Sequence, residues 1–393
     1  MRFIATCKMG VETLTSMGLK RLGIQVVSVE DARVTFEGDF LDMAKACIWL
    51  RTAERVLMEV ASFKAVTFDE LFEGVKAIEW KRYIARDTFI HVTGKSAKST
   101  LFSVSDCQSI TKKAIVENLK VVYGLNYLPE TGKRVIVEVG ILRDNVTIAL
   151  DCCGAGLSRR GYRTYNVDAP ISETLGASIV LLTRYKPDME FIDPMCGSGT
   201  MPIEAAMLAE NRAPGLNRGF AAEDWHFLPP TVFTEARMEA RDMVEPKKLK
   251  IYASDIDPRC IDLCKKHAKK AGIMVEWAVK PVSELICRED SGIIVCNPPY
   301  GERLMDRRSI EKLYREMRTV FDRCKGHSKN IISSQRDFER IYGLRADKRR
   351  KLSNGGMQCT LYSYFNTFKV FIIAHGRSFT CCSTNNNSIC SVA

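Results

Sequence analysis

Four residues, Asn297-Pro298-Pro299-Tyr300, combine groups that could hold a flat molecule carrying an amino group. They follow Gly292–Cys296, a run of apolar and β-branched residues typical of a buried strand. Because Pro298 and Pro299 have no N–H to donate, the strand must end there in a rigid corner. The Asn297 amide oxygen and the Pro298 carbonyl could accept hydrogens from an exocyclic amine, and Tyr300 could stack on a base. A proline pair that only terminates a strand is the alternative.

A second stretch, Asp193–Thr200 (DPMCGSGT), follows another predicted strand and opens a predicted helix. Open α/β sheets bind nucleotides at a tight glycine turn after the first strand. Gly197 and Gly199 would allow a ligand to approach the backbone closely. Pro202 stands where a dinucleotide fingerprint needs its third glycine, and no Gly-Lys-Ser/Thr follows. Both facts disfavour NAD and ATP as the ligand.

The end of the next predicted strand offers a carboxylate for ribose hydroxyls, which is Asp255 or, alternatively, Asp257. Asp193 and Asp255 are 62 positions apart, far more than the roughly 20 of a compact dinucleotide fold. An insertion at 211–230, rich in proline, glycine and aromatic residues, accounts for the excess. We expect this insertion to form an ordered loop near the site.

Composition limits the class of protein. A chain of 393 residues with 46% hydrophobic and 27% charged residues has room for two or three globular domains. No apolar run approaches the roughly 18 residues that span a bilayer, which predicts a cytoplasmic protein without a membrane partner. The formal net charge of +11 is compatible with RNA as partner. Fifteen cysteines, an odd number without a CxxC pair, favour reduced thiols.

Cys260, Cys264 and His267 share one face of a predicted helix, at positions i, i+4 and i+7. The spacing would suit a metal site, but it is also that of a stripe facing the protein core. We favour the core stripe and predict no metal.

Hydrophobic patterns divide the chain near residues 155–170. The part before this joint mixes strands and helices without a regular βαβ alternation, with a capping box at Thr67 and Glu70 and a hairpin turn at Arg143–Asn145. From Ile171 onward, strands and helices alternate, as in a doubly wound parallel sheet.

The motifs DPMCGSGT, SDID and NPPYG, in that order on alternating strands, resemble those of the class I S-adenosylmethionine-dependent methyltransferases. APGLNRGFAAEDW and DCCGAGLSRRGYR narrow the resemblance to the THUMP-domain RNA methyltransferases, most closely the bacterial 23S rRNA guanine-N2 type. The resemblance covers about residues 1–368. It implies a Rossmann-like α/β methyltransferase domain behind an α+β ferredoxin-like/THUMP region. The implied segments are a ferredoxin-like segment (1–45), a THUMP RNA-binding domain (46–155), a linker (156–170), the methyltransferase domain (171–368) and a partly disordered tail (369–393).

The resemblance also implies a cofactor, S-adenosylmethionine, and residues that hold it. Its methionine end would lie against residues 193–199, called here the glycine loop. Its ribose would lie on Asp255 and its adenine on Ile256, while Glu173 and Thr174 reach it from the preceding helix. In related sequences an acidic residue contacts the adenine amine, but here Pro281 stands near that place, and Ser283 or Glu284 could substitute. The implied loop residues are Asp193, Cys196, Gly197, Ser198 and Gly199.

RNA would reach the site along basic residues. Three arginines lie at the joint (Arg159, Arg160 and Arg163), one follows the proline corner (Arg303), and a dense basic run near residue 345 contains Arg349 and Arg350. A solvated helix end is the alternative interpretation of that basic run.

Three functions follow in order of preference. The first is guanine-N2 methylation of RNA, in 23S rRNA or alternatively in tRNA, with Asn297, Pro298, Pro299 and Tyr300 as the catalytic set. The second is adenine-N6 methylation of DNA or RNA, because the corner would accept either amine. The third is a non-catalytic RNA-binding protein with a methyltransferase fold.

Overall fold

The computed structural model describes residues 1–163, 171–299 and 307–365, and two short strands, Ile373–Ala374 and Arg377–Ser378. The predictions for Tyr300, Arg303 and most of the 369–393 tail lie outside the described residues. None of the helices among the described residues is long and apolar enough to cross a membrane.

The N-terminal region forms one seven-stranded sheet, as an α+β fold requires. Its strands are β1 (Arg2–Cys7), β2 (Gln25–Glu30), β3 (Arg33–Glu37), β4 (Ala53–Lys64), β5 (Phe89–Ala97), β6 (Arg134–Leu142) and β7 (Asn145–Asp151), and its helices are α1 (Glu12–Arg21), α2 (Phe40–Trp49), α3 (Phe68–Lys76) and α4 (Val104–Tyr123). The strand order is β2-β3-β1-β4-β7-β6-β5, with β5 and β6 parallel. Because β4 pairs with both β1 and β7, the sheet is continuous across the expected segment boundary at 45/46.

Local signals in this region are confirmed. Thr67 accepts a hydrogen bond from the Glu70 backbone N–H, and the Glu70 carboxylate accepts one from the Thr67 N–H, which completes the capping box of α3. Arg143 and Asp144 both have positive φ, at 52° and 62°. Two consecutive left-handed residues make the tight hairpin turn between β6 and β7 that matches the twist of the strands.

The second sheet is the doubly wound, mostly parallel sheet that the sequence predicts. Its strands are β8 (Glu190–Asp193), β9 (Ile251–Asp255), β10 (Glu276–Val279), β11 (Gly292–Cys296), β12 (His327–Ser333), β13 (Lys348–Asn354) and β14 (Met357–Tyr364), and its helices are α5 (Glu173–Leu182), α6 (Thr200–Ala209), α7 (Val232–Asp242), α8 (Pro258–Ala271), α9 (Arg307–Arg323) and α10 (Phe338–Tyr342). The order is β10-β9-β8-β11-β12-β14-β13, with the last two strands antiparallel. The winding therefore reverses between β8 and β11, where such sheets bind ligands.

The insertion after α6 is ordered, but its expected position near the site is wrong. Phe220 and Trp225 are buried in the hydrophobic core of the N-terminal region. The Gly215 N–H donates to the Ile48 carbonyl at 2.8 Å, and α7, which the sequence did not predict, packs on α2. Packing of the aromatic side chains in that core removes their apolar surface from water, which is favourable. The insertion thus binds the two regions together.

Cys287 and Cys324 form a disulfide, with their Cα atoms 6.2 Å apart. The expectation of reduced thiols is therefore wrong for this pair. The two residues are 37 positions apart and become neighbours only because the loop before β11 packs against the end of α9.

Candidate functional site

The glycine loop and the proline corner leave the same edge of the sheet. β8 and β11 pair in parallel, with Ile294 opposite Ile192. The loop that starts at Asp193 and the corner that starts at Asn297 therefore emerge side by side from neighbouring strands. This is the carboxyl edge at the winding reversal, so the two motifs form one candidate site.

The proline corner is held by a hydrogen bond from α9, and it contains one buried acceptor without a partner among the described residues. The Asn297 side-chain oxygen Oδ1 is buried and has no hydrogen-bond partner among the described residues. The Tyr314 hydroxyl on α9 donates to the Pro299 carbonyl at 3.3 Å and lies 3.2 Å from Ser333 Oγ. Burial raises the pKa of Tyr314 to about 12, so its hydroxyl keeps the proton that it donates. Buried acceptors normally have partners, so Asn297 is poised for a ligand donor.

Sequence reasoning missed Tyr314 and Ser333. Tyr314 lies on the apolar face of α9 and is fully buried, so its spacing identifies only a core residue. The only clue in the sequence is that the residue is a tyrosine, because a buried tyrosine needs a hydrogen-bond partner for its hydroxyl.

Both glycines of the loop have left-handed backbones, with φ of +52° at Gly197 and +78° at Gly199. A Cβ at Gly199 would lie 2.9 Å from Cys264 Sγ and 3.0 Å from the Trp277 ring. A Cβ at Gly197 would meet no described atom within 4 Å. Gly199 is thus required by the protein's own packing, whereas Gly197 faces open space that a ligand could fill.

Asp255 holds the glycine loop in place. Its Oδ2 accepts the Gly197 N–H at 2.9 Å, and its Oδ1 accepts the Asp257 N–H at 3.0 Å. Asp257 instead caps α8 by accepting the Arg259 N–H at 2.9 Å. Of the two predicted ribose ligands, Asp255 is therefore the one that faces the loop. Ile256 is 72% exposed at the same edge, as a surface for adenine would be.

Asp193 is fully buried at the end of β8. Its Oδ1 accepts the Met195 N–H at 3.2 Å, and its Oδ2 has no partner among the described residues. Burial, with a smaller contribution from the negative charge of Asp255, raises the pKa of Asp193 well above its usual value. A cationic ligand group beside Asp193 would relieve both effects, so the site fits the ammonium group of S-adenosylmethionine.

Two of the three residues in the predicted stripe, Cys264 and His267, contact the glycine loop, whereas Cys260 is half-buried. Cys264 Sγ lies 3.2 Å from the Gly197 carbonyl, and His267 Nδ1 lies 3.1 Å from the Ser198 carbonyl. Cys264 and His267 are fully buried, as a core-facing stripe requires. Cys196 is also buried and lies against Cys264, with the two sulfurs 3.9 Å apart.

Glu173 and Thr174 begin α5 and are both buried. The Thr174 hydroxyl donates to Glu54 Oε1 at 2.6 Å. Burial raises the pKa of Glu173, and the nearby Arg163 guanidinium, 3.5 Å away, opposes that rise. Their contact with the cofactor stays a prediction.

The joint arginines have different surroundings. Arg160 is 3% exposed, with its guanidinium bonded to Glu204 at 3.2 Å and to the Arg51 carbonyl at 2.6 Å. Arg163 donates to the Ile171 carbonyl at 2.9 Å and to the Thr200 hydroxyl. Arg160 is therefore a structural residue inside the interface, which corrects its expected place on an RNA path. Arg159 is exposed and remains available for that role.

Most of the basic run near residue 345 lies on a strand and not at a helix end, and Arg345, Lys348, Arg349 and Lys351 are exposed. It forms the edge strand β13, where Arg349 pairs with Glu339 at 2.8 Å and Arg350 donates to the Gly10 carbonyl at 2.5 Å. Both guanidinium groups thus have partners within the protein, and their contact with RNA stays a prediction. An edge strand carries charge because unpaired backbone groups must be kept from pairing with other chains.

Two exposed side chains lie near the place expected for the adenine contact. Pro281 precedes a short 3₁₀ helix, Val282–Glu284, just after β10. Ser283 and Glu284 are both exposed on it. Either side chain could reach a ligand at this edge.

Family comparisons match three successive parts of the chain. A model of the RlmL ferredoxin-like domain matches residues 2–57, a THUMP domain model matches 65–151, and an RMKL-like methyltransferase domain model matches 160–363. These ranges support the order of segments inferred from the motifs.

Two bacterial proteins are similar to this chain over 92% of its length. The chain is 44% identical over 368 residues to the presumed RNA methyltransferase YpsC of Bacillus subtilis, covering 92% of this chain and 95% of that protein. It is 30% identical to the ribosomal RNA large subunit methyltransferase K/L of Aliivibrio fischeri, covering 92% of this chain but only 53% of that longer protein.

Two solved structures share the fold across 93% of the chain. One, from Listeria monocytogenes, is described as a predicted N6-adenine-specific DNA methylase, with 44% identity, a TM-score of 0.88 and 96% of that chain covered. The other, SMU.472, is described as a presumed methyltransferase complexed with SAH, with 38% identity, a TM-score of 0.87 and 98% of that chain covered.

Proposed function

We propose, from the premise that this chain belongs to the RMKL-like methyltransferase family, that it methylates the exocyclic N2 of a guanine in 23S rRNA. The family membership makes it an S-adenosylmethionine-dependent RNA methyltransferase. The base, the atom and the RNA are the parts that we propose.

The observation that carries the proposal is the Asn297 side-chain oxygen, which is buried and without a partner among the described residues. It stands at a proline corner beside the glycine loop, where the Pro298 carbonyl is a second acceptor. Two acceptors at a rigid corner match the two hydrogens of an amine on a flat base. An oxygen that lacks a partner before the substrate arrives costs free energy that a bound amine would recover.

When bound, S-adenosylmethionine supplies an electrophilic methyl group. The protein's task is then to present an amine whose lone pair is delocalised into a purine ring. By accepting its two hydrogens, Asn297 and Pro298 would favour pyramidal nitrogen and direct the lone pair away from the ring. Tyr314 holds the corner rigid through the Pro299 carbonyl. Such a site acts by positioning and electrostatics, without a nucleophile on the protein.

Further support for an RNA substrate comes from the N-terminal region and the charge. The THUMP match precedes the methyltransferase domain, and the formal net charge is +11. Arg159, exposed at the joint, would contact the phosphate backbone. A base in a helix would have to be flipped out to enter the corner. Preference for 23S rRNA rests on the K/L relative, about half of whose length this chain spans.

Adenine-N6 methylation is the second candidate. The corner would accept the adenine amine by the same two hydrogen bonds, and the Listeria structure bears that description. Guanine in tRNA is a third possibility with the same site chemistry. The corner does not distinguish these substrates, so the product must be identified directly.

The test uses rRNA and tRNA from cells lacking this gene, incubated with the purified protein and methyl-labelled S-adenosylmethionine. Nucleosides are then identified by mass spectrometry, with the Asn297→Ala variant in parallel. We expect N2-methylguanosine in 23S rRNA. Losing an electrostatic contact made to the reacting group should lower kcat by about 10²–10³-fold in the variant. Binding of SAH should not change, because Asn297 contacts the base and not the cofactor.

Other methylated nucleosides would contradict particular parts of the proposal. N2-methylguanosine in tRNA alone would exclude the rRNA assignment, and N6-methyladenosine would replace guanine by adenine. If Asn297→Ala retained full activity, the corner would not be the amine-binding site.

A further inference from the structure

Glu54 belongs to β4 of the N-terminal region, yet its carboxylate contacts the methyltransferase domain. Its Oε1 accepts the hydrogen of the Thr174 hydroxyl at 2.6 Å. Lys8 Nζ lies 3.4 Å from the same oxygen. Thr174 is 1% exposed, so its hydroxyl depends on a protein partner. The shorter of the two contacts that this hydroxyl makes is the one with Glu54, 120 positions earlier in the chain, and the other is with Ser172 Oγ at 3.4 Å.

The first turn of α5, which contains Thr174, packs against the start of α6, where the glycine loop ends. A Cβ on Gly176 would lie 2.8 Å from Thr200 Cγ2, so no free space separates the two elements. Thr200 follows Gly199, the last residue of the loop. Arg163 links the segment just before α5 to Thr200, by donating to the Ile171 carbonyl and to the Thr200 hydroxyl. A shift of the first turn of α5 would therefore displace the loop.

The Glu54 contact is suited to fixing that turn. A hydrogen bond from a hydroxyl to a carboxylate is shorter and stronger than one between neutral groups. Because threonine is branched at Cβ, holding its hydroxyl also fixes its methyl group and its χ1 angle. The Glu54 backbone carbonyl accepts the Leu157 N–H at 2.8 Å, which ties the same residue to the joint. Glu54 thus connects β4, the joint and α5.

We propose that Glu54 is a positioning residue for cofactor binding, acting through Thr174 on the first turn of α5. The inference rests on the proposed placement of Glu173 and Thr174 beside the cofactor. It makes the N-terminal region part of the cofactor site as well as an RNA-binding region. Cofactor affinity then depends on a contact that crosses between the two regions.

Calorimetric titration of the full-length protein with SAH tests this, and no RNA is needed. We expect Glu54→Ala to raise the Kd for SAH about tenfold, the size of effect typical for losing a hydrogen bond to a charged group. Glu54→Gln keeps an acceptor oxygen and should stay within about threefold of the wild type. Thr183→Val is the matched control, because Thr183 donates a 2.6 Å hydrogen bond at the other end of α5 and should leave Kd unchanged.

A double-mutant cycle separates positioning from a general loss of stability. Thr174→Val removes the donor, so Glu54→Ala should add little to it in the double variant. Thermal unfolding of each variant is recorded in parallel. Additive effects on Kd, an unchanged Kd in Glu54→Ala, or a rise in Kd that Thr183→Val shares would each overturn the inference. If Glu54→Ala does not fold, the Kd values of Thr174→Val and Thr174→Ser are compared instead. Serine keeps the hydroxyl, so only Thr174→Val should raise the Kd for SAH, and equal Kd values would overturn the inference.

Different results would contradict the proposed function and the role of Glu54. Normal SAH binding and the expected Glu54 effect, without methylation of guanine, would contradict only the proposed substrate. A wild-type protein that binds no SAH would overturn both.

Discussion

Two side chains at the site bury polar oxygens without hydrogen-bond partners among the described residues, and a bound ligand could supply those partners. Among the described residues, one oxygen of the buried Asp193 carboxyl group has no hydrogen-bond partner, and neither does the buried amide oxygen of Asn297. Burial of polar groups without partners costs free energy, and folded proteins retain it mainly where a ligand completes the set. The two residues would bind different groups: Asp193 suits a cation, and Asn297 suits the N–H donors of an amine.

Asp193 predicts a pH-dependent affinity for SAH. Its pKa is raised in the free protein, first by burial. An ammonium group bound beside it would lower that pKa, so binding releases a proton, and affinity falls as pH falls through the raised pKa. Titration calorimetry in buffers of different ionisation enthalpy measures the release. Asp193→Asn should abolish both effects, and a wild-type protein that releases no proton would contradict the placement of the ammonium.

Tyr314 predicts a loss of activity without a loss of cofactor binding. Tyr314→Phe removes the donor to the Pro299 carbonyl. We expect a fall in kcat of roughly tenfold through a less rigid corner, and about 1 kcal/mol of lost stability. Tyr342→Phe is the control, since Tyr342 stacks in the same aromatic cluster, on Phe338. Equal effects of the two variants on kcat would argue against an anchoring role.

At the scale of elements, α6 is held along its length by arginines from other parts of the chain. Arg163 donates to Thr200 at its start, Arg160 pairs with Glu204 in its middle, and Arg51 donates to the Met207 carbonyl near its end. The glycine loop continues directly into this helix. The loop's position is therefore fixed by the helix as well as by Asp255.

The two loop glycines predict opposite outcomes for one substitution. Gly199→Ala places a Cβ 2.9 Å from Cys264 Sγ at a φ of +78°, which should cost about 2–4 kcal/mol of stability through overpacking and left-handed strain. Gly197→Ala meets no described atom within 4 Å, so it should cost about 1–2 kcal/mol, from left-handed strain alone, and mainly block SAH. Urea unfolding and SAH titration of both variants measure the difference. Unimpaired SAH binding by Gly197→Ala would show that the open space is not the cofactor's.

Across the whole molecule, the N-terminal region and the methyltransferase domain share a polar interface. Arg160 and Glu204 are both buried there, and the Tyr162 hydroxyl donates to Glu204 at 3.2 Å. The β1–α1 turn also crosses the interface, since Cys7 and Val11 pack in the core of the methyltransferase domain. The two regions should therefore move together when RNA binds, because separating them would expose paired charges and apolar surface.

Glu204→Gln tests this interface. Removing one partner leaves the Arg160 charge buried and uncompensated, so the free energy of unfolding should fall by about 3–5 kcal/mol. Glu276→Gln is the control. The pair of Glu276 with Arg288 is closer, at 2.6 Å against 3.2 Å, but more than half exposed, and its loss should cost less than about 1 kcal/mol. Urea unfolding compares the two. Equal losses would mean that the interface charges contribute no more than surface pairs.

Local chemistry made much of the fold predictable. The capping box of α3, the turn at Arg143–Asn145 and the alternating elements after Ile171 each depend on neighbouring residues, and each is present. The strand β13 and the helix α7 were not predicted. β13 is a charged edge strand without the usual alternation, and α7 follows a loop whose packing partner lies far away in the sequence.

The sequence by itself determined the order of motifs, and with it the edge of the sheet where the glycine loop and the proline corner meet. Steric limits on glycine and proline act within a few residues, so a local pattern is sufficient to reveal them. Tertiary structure alone decided that Arg160 is buried, that the insertion packs on the N-terminal region, and that Glu54 holds Thr174. Arg160 and Glu204 are 44 positions apart in the sequence, and Glu54 and Thr174 are 120 positions apart. The free energy of such contacts depends on burial that exists only in the folded chain.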